Sequence, residues 1–231
     1  MSYTETSSGF CALLIDTEST CLLQPNINYT RVPSTTRIVS ICFQYMRISN
    51  DKTLIMKKYY YVIKCDDHGN EFKIPQSSTA IHGITPEDSS KNGVPFGYIL
   101  PDLYRELKKA YVIVCHNVKF DITLLLSNIY SYGLRCTTNK KKQTVNCTKL
   151  IKLIINKKKF CTMESTVKLC KLPFRNSFQP NMYKYPKLSE LCNHLGIKID
   201  DVNRLHSAEY DVDLTRQCFI ALVKMGLYIH K

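Results

Sequence analysis

Residues 10–20, FCALLIDTEST, place an apolar run directly before two acids. Phe10 to Ile15 reads as a strand. At the two-residue period of a strand, Asp16 and Glu18 share one face while Thr17 points to the other. Two adjacent carboxylates repel each other without a cation, so the strand end reads as a metal site at the carboxyl edge of a sheet, with an acidic surface turn as the alternative. Working outward, Arg37–Arg47 and Leu54–Lys64 are further runs rich in Ile, Val, Tyr and Phe. They predict an antiparallel meander of three strands with its hairpin turn between Met46 and Leu54. Phe72–Pro95 carries Pro75, Gly83, Pro86 and Gly93, which predicts loops and at most a short helix.

The period then changes. Ile99, Leu103 and Leu107 fall four apart in a helix over Phe96–Lys109, Tyr111–Cys115 (YVIVC) is a short buried strand, and Val118–Tyr132 stacks Phe120, Leu124, Leu125 and Ile129 on one helix face. Helix, strand, helix after three strands indicates an α/β or α+β domain with helices packed on a mixed sheet. Phe160–Met163 is the candidate fifth strand, followed by a helix over Glu164–Lys171 and a polar, aromatic loop over Pro173–Pro186. Lys187–Leu195 is a helix closed by Gly196. Ser207 caps the last helix, which runs to Met225 with Leu214, Cys218, Leu222 and Met225 as its buried stripe.

At 231 residues, with 44% hydrophobic and 22% charged residues, the chain has the apolar complement of one globular domain, which argues against a disordered or tail-dominated chain. Lys plus Arg total 32 against 19 Asp plus Glu, a net charge of +13 that favours an anionic partner, nucleic acid ahead of membrane. Eight of these cations are lysines within Lys140–Lys159. That stretch reads either as a solvated insertion or as a contact for nucleic acid or a partner. The eleven cysteines are odd in number and form no CxxC, so most read as small buried hydrophobes in a reducing compartment rather than zinc ligands or a disulfide framework. The residues MSYTETSSGF lack signal-peptide character and no stretch approaches bilayer length. A cytosolic or nuclear protein, or a viral one acting there, is expected, with no membrane partner.

Two more acids stand where they can meet the first pair. Asp121 enters the helix after YVIVC in the string HNVKFD, where Asn117 can cap the helix and His116 reads as a hydrogen-bonded support. In LHSAEYDVDL, Asp211 falls on the core-facing stripe of the last helix, where a free carboxylate is costly. His206 precedes that helix on a loop over the same place, and Asp213 points elsewhere as a solvated residue.

IDTE at Asp16 and Glu18, HNVKFD at His116–Asp121 and HSAEYD at His206–Asp211 resemble the three motifs of the DnaQ-like 3′-5′ exonucleases of the DEDDh group, which includes the polymerase proofreading subunit, TREX-type exonucleases, RNase T and oligoribonuclease. AIHGITPED (Ala80–Asp88) and YPKLSELCNHLGI (Tyr185–Ile197) are similar to further family segments, so the resemblance covers about residues 8–226. It implies an RNase H-like α/β fold, a mixed five-stranded sheet flanked by helices, in a single domain over 1–231 with a lysine-rich insertion at 137–160. It implies that Asp16, Glu18, Asp121 and Asp211 hold two divalent cations, Mg2+ or Mn2+, with His206 as general base and nucleoside 5′-monophosphates as product. The expected partners are 3′ ends of single-stranded DNA or RNA, with a separately encoded polymerase as a possible recruiter. Thr17, His82 and Asn117 would contact nucleic acid, as would Lys140, Lys141, Lys142, Lys157, Lys158 and Lys159. An RNA-trimming enzyme and an inactive binding module on the same fold are the alternatives. The chain departs from the family pattern at Cys161, where an acid often precedes Thr162, and in the length of the lysine-rich stretch.

Overall fold

The structure, a computed structural model, describes residues 9–49, 53–67, 70–138, 145–174 and 182–229. Strand β1 (Phe10–Ser19) runs past its apolar residues, so both acids lie within the strand. It pairs antiparallel with β2 (Ile38–Ile48), which pairs antiparallel with β3 (Thr53–Val62). Helices α1 (Gln76–His82), α2 (Pro86–Asn92) and α3 (Phe96–Lys109) lead to β4 (Val112–Cys115), which joins β1 in parallel on its other side. Helices α4 (Val118–Thr138) and α5 (Cys147–Asn156) precede β5 (Lys158–Cys161), parallel to β4. Short helices α6 (Thr162–Ser165), α7 (Val167–Cys170) and α8 (Leu188–His194) come before the long α9 (Ala208–Lys224). The sheet order β3-β2-β1-β4-β5 puts the acid-bearing strand at the centre of an RNase H-like α/β fold.

Strand alternation sorts the core into two layers. Leu13 and Ile15 of β1, Phe43 of β2 and Ile113 of β4 face α3, α4 and α5. Ala12 and Leu14 with Val112 and Val114 face α9 through Val212 and Phe219. Helices α3 and α4 approach closely at Gly97, where a Cβ would collide with the Tyr132 ring.

Several elements differ from expectation. Phe72–Pro95 holds two helices, because Thr85 and Asp88 form a reciprocal capping box around Pro86 at the start of α2. The fifth strand begins at Lys158 rather than Phe160, and Thr162 already belongs to α6. The Glu164–Lys171 helix is broken at Thr166, whose hydroxyl donates to the Thr162 carbonyl at 2.6 Å. Within the lysine-rich stretch, α5 is a core element, with Cys147, Leu150 and Ile154 buried. Ser207 occupies the N-cap position of α9 without a side-chain cap bond, and Met225 is exposed rather than part of the buried stripe. Residues 139–144, and 175–181 of the expected aromatic loop, lie outside the described residues. All eleven cysteines are free and nine of them are buried. Among the described residues, no helix is long and apolar enough to cross a membrane.

Because β1 is buried on both faces, Leu13→Ala and Leu14→Ala should each destabilise the protein by about 2–5 kcal/mol in urea unfolding. A near-neutral result for either would mean that its face of the sheet is wet.

Candidate metal centre

The site forms where β1 ends at the middle of the sheet. Asp16 and Glu18 continue the Ala12 and Leu14 face and so turn towards α9, which supplies Asp211 from its first turn. Oxygen atoms of Asp16, Glu18 and Asp211 all lie within 4.8 Å of one another. Asp121 comes from α4, on the opposite side of the sheet. Thr17, the residue of β1 that points that way, donates its hydroxyl to Asp121 Oδ1 at 2.8 Å. Two helices on opposite faces thus deliver one carboxylate each to the same strand end.

Burial and crowding govern these acids. Burial, and then repulsion from Asp121, Asp211 and Glu18, holds the Asp16 carboxyl well above the usual range. Burial with Asp211 and Asp121 nearby pushes Glu18 up to about 8. Asp121 is pushed by burial to about 7 despite the stabilising Thr17 hydroxyl. Asp211 is likewise raised to about 7 by burial, against the opposing effect of the His206 backbone N–H. That N–H donates to Asp211 Oδ2 at 3.1 Å, whereas Asp211 Oδ1 is buried without a hydrogen-bond partner. An orphaned carboxylate oxygen among three other acids fits a hard cation that takes oxygen ligands, so the residues present suit Mg2+ or Mn2+.

His206 is exposed and lies in the left-handed region at φ 65°, unusual outside glycine. That conformation turns its N–H onto Asp211 while the residue lines the same cavity of about 610 Å³ as the four acids. His116 lines it too, in a different state. Its Nε2 is 3.0 Å from the Pro186 carbonyl and must donate, which leaves Nδ1 to accept from the Thr162 hydroxyl at 3.0 Å. Burial pushes its pKa down to about 4, so His116 is a neutral brace joining the end of β4 to the segment before α8.

The remaining expected residues divide. Thr17 and Asn117 line the cavity. Asn117 is exposed, and its carbonyl receives the N–H groups of Phe120 and Asp121 at the start of α4. His82 ends α1 and is not among the cavity-lining residues; its Nδ1 accepts from the Ile84 N–H at 3.1 Å. Lys140, Lys141 and Lys142 lie outside the described residues. Lys157–Lys159 stand at the other end of the parallel strands: Lys158 pairs with Val112, itself level with Ala12. Two strands across and four residues back from Asp16 is on the order of 15 Å. There the Lys157 ammonium donates to the Ala110 carbonyl at 2.5 Å, Lys158 lies over the Tyr111 ring, and Lys159 donates to the Ile155 carbonyl at 2.8 Å. Asp213 does point away from the centre, but it is engaged rather than solvated, bonded to Lys58 Nζ at 2.8 Å. Lys58 also reaches Glu209 at 3.2 Å and so ties β3 to the first turn of α9. Thr162, the Pro186 carbonyl and Lys58 escape sequence reading because their roles rest on contacts between segments far apart in the chain.

Residues 13–219 match the RNase_T family model, described as exonuclease, and the chain belongs to this exonuclease family. No curated protein sequence gives a significant match. Among solved structures, exonuclease X in complex with 5′ overhanging duplex DNA is 17% identical, with a TM-score of 0.53 over 94% of each chain. The E. coli exonuclease I complex with single-stranded DNA, in its zinc-bound form, is 16% identical with a TM-score of 0.60; the match covers 94% of this chain and 41% of that one. A full-length 3′-exonuclease is 14% identical with a TM-score of 0.59 over 100% of this chain and 66% of its own. At such identities the likeness is one of fold. The chain spans less than half the length of exonuclease I.

The raised carboxylates carry a pH signature. Each binds protons in the folded state that the unfolded chain, titrating near ~4, has already released, so their contribution is intact below that range and is lost as pH rises through the folded values. Without metal, the melting temperature should therefore fall between about pH 5 and about pH 8. Added Mn2+ or Mg2+ should raise it more at the higher pH, where no proton has to be displaced. Asp211→Asn should reduce both effects; a pH-independent, metal-insensitive melting temperature in the wild type would contradict the site.

Proposed function

We propose that this chain is a divalent-metal-dependent 3′-5′ exonuclease that shortens single-stranded DNA and releases nucleoside 5′-monophosphates. The observation that carries this reading is the convergence of Asp16, Glu18, Asp121 and Asp211 with His206 on one open cavity, in a member of an exonuclease family. Divalent cations held by the four carboxylates would supply positive charge against the charge that grows on the phosphate. His206 is the base, since His116 has both ring nitrogens committed and His206 is the exposed imidazole at the cavity. It takes a proton from water as the water oxygen bonds to phosphorus. The bond from phosphorus to the 3′ oxygen of the preceding nucleotide breaks, and that oxygen takes a proton from solvent, so that the shortened strand leaves with a 3′ hydroxyl. Asp211 holds the base in place through the His206 N–H. Thr17 fixes the orientation of Asp121.

DNA is the preferred substrate in this reading because the structural neighbours include exonuclease I with single-stranded DNA and exonuclease X with overhanging duplex DNA. A 3′-exonuclease recognising a histone mRNA stem-loop, with a TM-score of 0.57, makes RNA the comparison to run.

With matched end-labelled DNA and RNA in Mg2+ or Mn2+, the enzyme should produce a one-nucleotide ladder from the 3′ end, faster on DNA. Faster shortening of RNA would make it an exoribonuclease, and binding without hydrolysis would make it a binding module. In single-turnover assays His206→Ala should slow the chemical step by roughly 10²–10⁴-fold with substrate affinity largely retained. Asp16→Asn should abolish measurable hydrolysis while circular dichroism stays native.

A further inference from the structure

A second cavity, of about 660 Å³, opens beside the loop that leaves β1. Arg37 and Arg135 both line it, together with Thr20, Thr35 and Lys73. Arg37 is only 5% exposed, yet among the described residues it has no ion-pair partner: its guanidinium donates to the Asn70 side chain and lies 5.8 Å from the centre of the Phe72 ring. Arg135, half-buried near the end of α4, likewise has no ion-pair partner among the described residues, although Asp67 attracts it at longer distance. The lining includes one carboxylate, the exposed Glu71. Burial, then the like charge of Arg135, lowers the Arg37 pKa to about 10. Holding two guanidinium groups together in a partly dry place is costly, and an anion spanning both would relieve that cost.

The walls are built rather than loose. Thr20 Oγ1 accepts from the Arg37 N–H at 2.9 Å and donates to the Thr35 carbonyl at 2.8 Å, and the Ser78 hydroxyl holds the Thr20 carbonyl at 2.6 Å. Two guanidinium side chains lining one cavity suit a tetrahedral oxyanion with several acceptor oxygens. Thr20 lies two residues past Glu18, roughly 7 Å of extended chain, so this cavity and the carboxylate centre share one loop.

We propose that Arg37 and Arg135 form a phosphate-binding subsite, separate from the carboxylate centre, for a phosphodiester of a nucleic-acid strand or a free phosphate monoester. The subsite stands whether or not the chain hydrolyses nucleic acid, and its test needs no hydrolysis. In metal-free buffer of constant ionic strength, inorganic phosphate should raise the melting temperature of the wild-type chain. Arg135→Gln should weaken phosphate binding by about tenfold or more, the effect of one lost charged contact. It should fold without difficulty, because it removes a repulsion; Arg37→Lys, which keeps the charge but loses the fork, is the second variant. Lys198→Gln, at a well-exposed lysine, controls for net charge. The affinity of a short labelled single strand separates the two sources. A loss in Arg135→Gln beyond the Lys198→Gln control assigns the site to a strand phosphodiester, whereas a loss confined to inorganic phosphate assigns it to a free monoester. If neither ligand distinguishes Arg135→Gln and Arg37→Lys from the control, the subsite is overturned. Phosphate binding that survives in a chain without hydrolysis would reject the nuclease reading alone.

Discussion

Repulsion among Asp16, Glu18, Asp121 and Asp211 is the constraint around which the rest of the molecule is arranged. Four carboxylates partly removed from water would separate if their supports allowed it. They are held because each belongs to an element with other obligations: β1 is paired on both sides, α4 packs under one face of the sheet, and α9 packs over the other. The apolar core thus supplies the free energy that keeps like charges together, and a bound cation would recover part of it.

Small polar contacts then turn crowding into geometry. Thr17 uses the strand face opposite its acidic neighbours to hold Asp121, so one three-residue stretch serves both sides of the sheet. His206 adopts a backbone conformation that most residues avoid and in return gives Asp211 Oδ2 a donor, leaving Oδ1 without one. His116 spends both nitrogens on structure. The two histidines of the cavity therefore differ in kind: one is neutral and committed, the other is exposed and available.

Much of this is legible in the amino-acid sequence. The alternation in FCALLIDTEST gave the correct face for Asp16 and Glu18, because a strand has a fixed period and this one is flanked on both faces. The helix at Phe96–Lys109 has the predicted bounds, since its apolar spacing is unbroken and Pro95 precedes it. The lysine-rich stretch was harder. Lysine has low strand propensity, so the sequence places the start of the fifth strand at Phe160 and leaves Lys158 and Lys159 in the insertion, and only their register beside VIVC makes them part of β5. The same register carries Lys157–Lys159 away from the cavity, a distance that composition does not encode. Met225 continued the periodic stripe of α9, but the helix ends one residue earlier and the stripe ends with it. Arg37 and Arg135 meet only through the packing of α4 against the start of β2, and nothing in either local sequence marks them as a pair.

The order in which the site residues occur has a consequence in time. Asp16, Glu18 and Asp121 come early, whereas Asp211 and the loop bearing His206 come with the last helix. At ribosomal rates of about 5–20 residues per second, the ninety residues between Asp121 and Asp211 take on the order of 5 to 20 seconds to synthesise. During that interval the nascent chain has most of its sheet and three of its four acids, but neither Asp211 nor His206. A nascent chain that has not yet made α9 therefore carries no complete centre, which assembles only when α9 docks on the sheet.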